Sequence, residues 1–203
     1  MVLKGSRFFV EGHEGRIYFL PGGVVLKKFA SPKARVKEEF YKHAIASALF
    51  PGSFLHFFRA VSAGKRKPEL YSKRVKLSPE YEAFVKNFYE RESSGAGWIH
   101  SQRALSAEFK EAAKKFLEAG VVPNLNPANV DFPSGRPGEP FFFEVSDIDA
   151  GKLRDFLKRV NHPKSREVLS LLSRLQELRG TDSKEKEDLG PLFRSRRQPS
   201  PRE

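Results

Sequence analysis

The sequence predicts an α+β fold, in which a small antiparallel sheet is followed by a mainly helical region. Two observations carry this prediction. Short apolar runs alternate with glycine-bearing turns through residues 1–76, which is typical of a meander of strands. After that point apolar residues recur at helical spacing, interrupted by one loop rich in proline and asparagine. We therefore expect a sheet part at 1–76 and a helical part at 77–180.

The composition limits the class of protein. A chain of 203 residues with 39% hydrophobic residues and 19 Phe can build one sizeable core, or two small parts that share one. It has no Cys, which excludes a disulfide framework and thiolate metal sites. No apolar run has the length of a membrane span, and the N-terminus lacks the apolar core of a signal peptide. We expect a soluble, cytoplasmic protein without a membrane span.

The positive charge is concentrated near the N-terminus. The net charge is +12, and residues 1–75 hold 15 Lys and Arg against 5 Asp and Glu, which is 15 − 5 = +10. Such a distribution indicates an anionic partner: nucleotide phosphates, nucleic acid, or an anionic lipid or sugar. A cationic surface that only keeps the protein in solution explains it equally, and charge alone does not choose among these.

The first three predicted strands place a lysine within an apolar run. They comprise Phe8 to Val10, Ile17 to Leu20 and Val24 to Phe29, and Gly-bearing turns separate them. Lys27 lies inside the third strand, where a charge requires a partner. The alternative is an edge strand from which the lysine side chain extends to water.

A helix follows the third strand. Ser31-Pro32 predicts its start, with an N-cap and a proline in the first turn, and Pro51-Gly52 predicts its end. Glu39 borders the apolar stripe, whereas Glu38 is expected to face water. We therefore predict that Glu39 meets Lys27, the alternative being a solvated glutamate. The stripe consists of Val36, Phe40, Ala44 and Ala48.

The remaining elements follow from the same periodicities. They are strands at 54–63 and 69–76, helices at 79–92 and 104–119, a strand pair from Val130 to Val145, and helices at 152–160 and 163–179. The last helix is predicted to be capped by Asn161 and ended by Gly180. From Thr181 onward the chain is polar and charged, so we predict a disordered basic tail at 181–203.

The loop from Gly120 to Asp131 is unusual because three of the chain's five Asn lie in it, Asn124, Asn126 and Asn129. Pro123 and Pro127 stiffen it, so the amides have a fixed geometry. A well-built turn alone would explain the amides, because Asn can bond to its own backbone. The alternative is a ligand-binding loop.

Taken together, this order of elements resembles the protein-kinase-like superfamily over roughly residues 6–160. Within it the chain is most similar to small bacterial kinases of lipopolysaccharide-core sugars, such as the 3-deoxy-manno-octulosonic acid kinases, and to aminoglycoside phosphotransferases. The resemblance implies a bilobal fold. Residues 1–76 would form an N-lobe of five antiparallel strands and one helix, and residues 77–180 a reduced helical C-lobe. It also implies ATP and Mg²⁺ as cofactors.

The resemblance assigns roles to individual residues in the N-lobe. Gly12 and Gly15 match the second and third glycines of the hairpin that covers the nucleotide phosphates, and Val10 replaces the first. Lys27 matches the strand lysine that contacts the phosphates, and Glu39 matches the helix glutamate that holds it.

Further roles fall in the Asn-rich loop and after the strand pair. Asn129 matches the metal-binding amide, and Asn124 stands where the family has its base Asp. This departure matters because an amide cannot take a proton from an attacking hydroxyl. Asp147 matches the metal-binding Asp, and Asp149 is the alternative in another register. These carboxylates with an amide oxygen would suit Mg²⁺, although Asp147 and Asp149 could instead be a helix N-cap pair.

Three functions remain open at this point. The first is a kinase-fold nucleotide-binding protein, a pseudokinase or a weakly active ATP-dependent phosphotransferase. The second is an active small-molecule or glycan kinase that uses Asn124 in place of the base, with an anionic sugar among the candidate substrates. No match to a peptide-docking subdomain is found, which favours small ligands. The third is a basic nucleic-acid-binding protein, supported by the charge but by no nucleic-acid-binding motif.

Overall fold

The computed structural model describes residues 7–12, 14–31, 35–61, 67–83, 107–126, 129–132 and 139–189. Within these ranges the chain is a mixed α+β protein with a five-stranded antiparallel sheet and several helices. The α+β prediction is therefore confirmed. None of the helices in the described ranges is both long enough and apolar enough to cross a membrane.

The sheet contains the first five strands in the order β1-β2-β3-β5-β4, with every neighbouring pair antiparallel. Strand β3 is central, because it pairs with β2 on one side and β5 on the other. Lys27 therefore does not lie on an edge strand, and the edge-strand explanation of this lysine is wrong. The strands are β1 Arg7–Gly12, β2 Gly15–Leu20, β3 Val24–Phe29, β4 Phe57–Val61 and β5 Glu69–Lys73.

Helix α1 spans Val36–Leu49 and begins later than the sequence predicts. Arg35 is its N-cap, and residues 32–34 lie outside the described ranges. Ser31 does not start the helix, because the chain still belongs to the sheet at this point: the Ala30 amide donates to the Glu14 carbonyl at 2.8 Å. The predicted end at Pro51-Gly52 is confirmed, since the helix stops at Leu49.

The second part of the chain opens with a helical turn at 79–83, and residues 84–106 lie outside the described ranges. Asp131 is only 1% exposed and fastens this turn, accepting from the Ser78 hydroxyl at 2.7 Å and the Ser78 amide at 3.0 Å. Helix α2, Ala107–Glu118, then follows, close to the predicted 104–119. Leu117 in this helix is 39% exposed.

The Asn-rich loop is shorter than predicted, because its first residues form a strand. Strand β6, Val121–Pro123, pairs antiparallel with a later strand, β9, Val145–Ile148. Between them lies the predicted strand pair, which consists of β7, Val130–Asp131, and β8, Phe141–Phe142. Two small sheets therefore bracket the asparagines.

Two helices complete the described structure. Helix α3 spans Ala150–Val160, and helix α4 spans Ser165–Leu189. Asn161 does not begin α4 but ends α3, in the left-handed conformation with φ 45°. Helix α4 also continues through Gly180 to Leu189, so the predicted helix end is wrong, and residues 181–189, predicted as part of a disordered tail, are helical. The last 14 predicted tail residues, 190–203, lie outside the described ranges.

Beside a cluster around Tyr81, two apolar cores hold these elements together in the described ranges. A small one lies between the sheet and α1, and the larger one joins α1 to α2, the short strands, α3 and α4. Because α1 borders both cores, its position couples the sheet to the helical part. The small core contains Phe29, Val36, Phe57 and Leu70. The most buried members of the large core include Ile45, Val121, Val130, Phe142, Leu153, Leu172 and Leu175.

Candidate functional site

Lys27 lies at the centre of the site. It stands opposite Leu70 in the sheet register, and Leu70 packs against α1, so the lysine is on the sheet face that α1 covers. Its side chain is only 18% exposed. The Nζ atom donates to Glu14 Oε2 at 2.6 Å and to Glu144 Oε1 at 3.4 Å. Glu14 belongs to the turn between β1 and β2, and Glu144 lies between β8 and β9.

Glu144 connects the lysine to the Asn-rich loop. Its second oxygen, Oε2, accepts from the amide of Asn124 at 2.8 Å and from the amide of Asn129 at 3.0 Å. The backbone repeats this link, since the Asn124 amide N–H donates to the Glu144 carbonyl at 3.0 Å. Lys27, Asn124 and Asn129 thus converge on a carboxylate that the sequence reasoning missed. Its one signal is its place directly after three consecutive Phe.

Strand pairing explains why Glu144 has this role. Strand β6 pairs with β9 so that Pro123 stands opposite Val145 and Val122 opposite Asp147. The residue before Val145 therefore falls beside the residue after Pro123, which is Asn124. This register joins residues distant in sequence, and no local pattern specifies it.

The asparagines also build their own turn. Asn124 Oδ1 accepts from the Asn126 amide N–H at 2.9 Å, and the Asn129 amide N–H donates to the Asn126 carbonyl at 2.7 Å. The interpretation as a well-built turn is therefore confirmed for Asn124, which uses its oxygen for the turn and its amide nitrogen for Glu144.

Glu39 has a different partner from the predicted one. It forms an ion pair with Lys42, one helical turn along α1. Lys42 is itself 6% exposed, and its Nζ donates to the Ser146 carbonyl at 3.1 Å. The predicted pair of Lys27 with Glu39 is therefore wrong as a direct contact, because Glu14 and Glu144 occupy the Lys27 amine. Glu39 is nevertheless near enough for its charge to contribute to the raised pKa of Lys27.

The electrostatics of the site depend on burial and on five charges, those of Lys27, Lys42, Glu14, Glu39 and Glu144. Burial alone would lower the pKa of Lys27, but the charges of Glu144, Glu14 and Glu39 outweigh it and hold that pKa above its usual value. Burial raises the pKa of Glu39 despite Lys42 and Lys27. With two lysines and three carboxylates charged, the cluster sums to 2 − 3 = −1.

A buried histidine lies behind this cluster. His43 on α1 is 1% exposed, and its Nδ1 lies 2.9 Å from the Leu55 carbonyl. Burial, with smaller contributions from Lys27 and Lys42, lowers its pKa to about 3. His43 is therefore neutral at physiological pH, and Nδ1 must carry the proton because a carbonyl can only accept.

Asp147 and Asp149, predicted as metal ligands, have other partners in the structure. Asp149 is the N-cap of α3 and accepts from the Lys152 amide at 3.0 Å, as the alternative interpretation predicts. Asp147 is 57% exposed and accepts from Arg179 at 2.6 Å. The carboxylate bonded to Asn129 is that of Glu144.

Arg179 closes the outer side of the site. This α4 residue donates to Glu38 at 3.0 Å and to Asp147 at 2.6 Å, so it joins α4, α1 and β9. Glu38, expected to face water, is only 15% exposed, because α4 packs on that side of α1. Its carboxylate also pairs with Arg35 at 3.4 Å.

Backbone packing explains why a glycine stands at the start of β2. Gly12 pairs with Gly15 at the end of the two strands. A Cβ atom on Gly15 would lie 2.2 Å from the Lys28 carbonyl oxygen and 2.8 Å from Phe29 Cα. Glycine at this position therefore lets β2 approach β3 closely, whether or not a ligand lies nearby.

The donor set of the site suits a hard cation only in part. Among the described residues, no group of three or more His, Asp and Glu could hold a metal ion. Mg²⁺ usually takes one or two carboxylates and completes its shell with water and substrate phosphates. Glu144 with the amide of Asn129 fits that smaller requirement.

The chain matches no protein-family model and no curated protein.

Proposed function

We propose that this chain is a kinase-fold nucleotide-binding protein with weak or no phosphotransferase activity. The supporting observation is the convergence of Lys27, Asn124 and Asn129 on Glu144. They come from the central strand, the Asn-rich loop and the segment after β8. A lysine on a strand can bind phosphate oxygens. A carboxylate and a loop amide facing that lysine can bind the metal ion that the phosphate also contacts.

In this proposal Lys27 neutralises nucleotide phosphate, and Glu144 with Asn129 holds Mg²⁺. Glu144 takes the metal-binding role that the sequence assigned to Asp147 or Asp149, since Arg179 occupies Asp147. When bound, the metal supplies positive charge to the phosphate oxygens. Because the protein contributes few ligands, we expect Mg²⁺ and nucleotide to bind together.

The amide of Asn124 sets the expected activity. It donates its nitrogen to Glu144 and accepts at its oxygen from the Asn126 backbone, so it offers no group that could take a proton. General-base catalysis is typically worth about 10²–10⁴-fold in rate. Phosphoryl transfer relies heavily on positioning and charge neutralisation, so a low rate is compatible with this site.

A thermal-shift experiment tests the proposal. Wild-type protein would be melted with ATP or ADP in Mg²⁺, with each component alone, and with nucleotide plus chelator. We expect the melting temperature to rise only when nucleotide and Mg²⁺ are both present. A ligand at 100 times its Kd stabilises a fold by about 2.7 kcal/mol. No shift at millimolar Mg²⁺-nucleotide would reject the proposal.

The variant Asn124→Asp tests whether the missing base limits turnover. Here the new carboxylate would face Glu144 Oε2 at the place of the 2.8 Å hydrogen bond. The two charges repel, so the variant should melt at a lower temperature without Mg²⁺ and recover with it. Nucleotide hydrolysis should rise by about 10-fold or more, a modest share of a usual base contribution.

Asn126→Asp is the matched control, because it adds the same charge to the same loop. It should leave the hydrolysis rate unchanged. If Asn124→Asp binds Mg²⁺-nucleotide but hydrolyses it no faster than wild type, the site lacks more than its base, which favours a pseudokinase. If wild type already transfers phosphate to an anionic sugar at an ordinary rate, the active-kinase alternative replaces our proposal.

One observation favours nucleic-acid binding as the second candidate. Phe8, Tyr18, Leu26 and Tyr71 are direct cross-strand partners and so share the sheet face opposite to that of Lys27. Phe8 is 52% exposed, and Arg59 stacks over the Tyr71 ring at 5.3 Å. Exposed aromatic rings among cations can stack nucleic-acid bases. Binding of a single-stranded oligonucleotide, without any Mg²⁺-nucleotide shift, would select this candidate.

A further inference from the structure

The carboxylate of Glu14 forms an ion pair with the Lys27 ammonium group, to which our proposal assigns the nucleotide phosphate. Its Oε2 lies 2.6 Å from Lys27 Nζ, closer than Glu144 Oε1 at 3.4 Å. The β1–β2 turn that carries Glu14 is held against the end of β3, because the Glu14 carbonyl accepts from the Ala30 amide at 2.8 Å. The contact is therefore built into the hairpin.

The two carboxylates on Lys27 differ in their exposure. Glu144 is fixed by the amides of Asn124 and Asn129, and its side chain is 30% exposed. Glu14 reaches the lysine from the solvent side, and its side chain is 61% exposed. An incoming anion would therefore displace Glu14 and leave Glu144 in place. A phosphate oxygen and a carboxylate oxygen make the same charge-assisted hydrogen bond to an ammonium group.

We propose that Glu14 is an internal competitor of nucleotide phosphate for Lys27 and sets the affinity of the site. This inference rests on the proposed function, because it concerns the same lysine. Phosphate binds only when the Glu14 carboxylate leaves the amine, so the free protein favours the closed contact. Glu14 would thus be a residue that determines affinity and contributes nothing to the chemical step.

The test compares Glu14→Gln with Glu11→Gln. The first removes the competing charge while keeping the size of the side chain. The second removes an equal charge from the same hairpin, where Glu11 is 50% exposed and pairs with Arg16 at 2.8 Å. Affinity for Mg²⁺-ATP should rise about 10-fold in Glu14→Gln, since a charge-assisted contact is lost from the free state. It should change by less than about twofold in Glu11→Gln.

Two further arms locate the effect. Inorganic tripolyphosphate with Mg²⁺ should show the same gain as ATP, because the competition concerns phosphate and not the base or sugar. In a Lys27→Met background, Glu14 acts on phosphate only through its exposed charge, so Glu14→Gln should give a gain of less than about twofold. A gain of about 10-fold that persists without Lys27 would overturn the inference, because it would come from the general charge of the hairpin.

The outcomes separate this inference from the proposed function. If wild type binds Mg²⁺-ATP and Glu14→Gln binds it equally well, the competitor role is rejected and nucleotide binding stands. If both proteins bind Mg²⁺-ATP and Glu14→Gln binds it about 10-fold more tightly, both are supported. If neither protein binds Mg²⁺-ATP or Mg²⁺-tripolyphosphate, the proposed function fails, and this inference fails with it.

Discussion

Replacing Lys27 with methionine is expected to weaken Mg²⁺-nucleotide binding by about 100-fold or more. Hydrogen bonds to charged groups typically contribute about 1.5–3 kcal/mol, which is roughly 10-fold to 100-fold in affinity. The loss here should lie at or above the upper end. Without the ammonium group, Glu144 and Glu14 lose the cation at 3.4 Å and 2.6 Å, and their charges would then repel phosphate. Titration with a fluorescent nucleotide measures the effect directly.

Lys28→Met is the control for this experiment. Lys28 is the next residue in β3, is 39% exposed, and pairs with Glu69 at 3.5 Å on the other face of the sheet. The same substitution there should leave nucleotide affinity within about twofold of wild type, because exposed ion pairs contribute little. If Lys27→Met binds as tightly as Lys28→Met, phosphate does not meet Lys27.

Gly120→Ala is expected to destabilise the fold by roughly 3 kcal/mol or more. Gly120 has φ +78°, a conformation that costs a residue with a side chain about 1–2 kcal/mol. In addition, the new Cβ would lie 2.6 Å from both the Asp149 carbonyl oxygen and the Leu153 amide nitrogen. These are backbone atoms at the start of α3, so that helix would have to shift. Urea unfolding followed by circular dichroism gives the change in unfolding free energy.

Gly180→Ala provides the matched control in α4. Among the described residues, apart from the neighbouring backbone of α4 itself, no atom lies within 4 Å of the position that its Cβ would take, and the residue is helical. Alanine there should stabilise the protein by about 0.5–1 kcal/mol, because glycine is the poorer helix former. Opposite signs for the two identical substitutions are the expected result. A neutral Gly120→Ala would mean that the junction between α2, β6 and α3 is more adaptable than the geometry indicates.

Local patterns predicted the elements whose boundaries depend on their own residues. The three first strands and the end of α1 follow from apolar runs and from glycine or proline turns. Where tertiary contacts decide, the predictions were wrong. Helix α1 begins later than predicted because Ala30 bonds to the β1–β2 turn. Helix α4 extends beyond Gly180, although glycine often ends a helix.

The residues of the candidate site also fall into two groups, those that the sequence indicates and those that depend on tertiary contacts. The resemblance assigned Lys27, Asn124 and Asn129 to one site, and in the structure each of the three bonds to Glu144. Glu144 was missed, and Glu39 was given the wrong partner. Both depend on the β6–β9 register and on competition among five charged groups, which a single sequence does not display.

The position of Arg179 has a consequence for how the chain is made. Its bond to Glu38 spans 141 residues, and the bond from Lys27 to Glu144 spans 117. During synthesis the five strands leave the ribosome long before Glu144 and Arg179. The sheet can therefore form while the site still lacks these two residues. Contacts of such high sequence separation are closed late and slowly in folding. The site therefore becomes complete only after α4 has emerged.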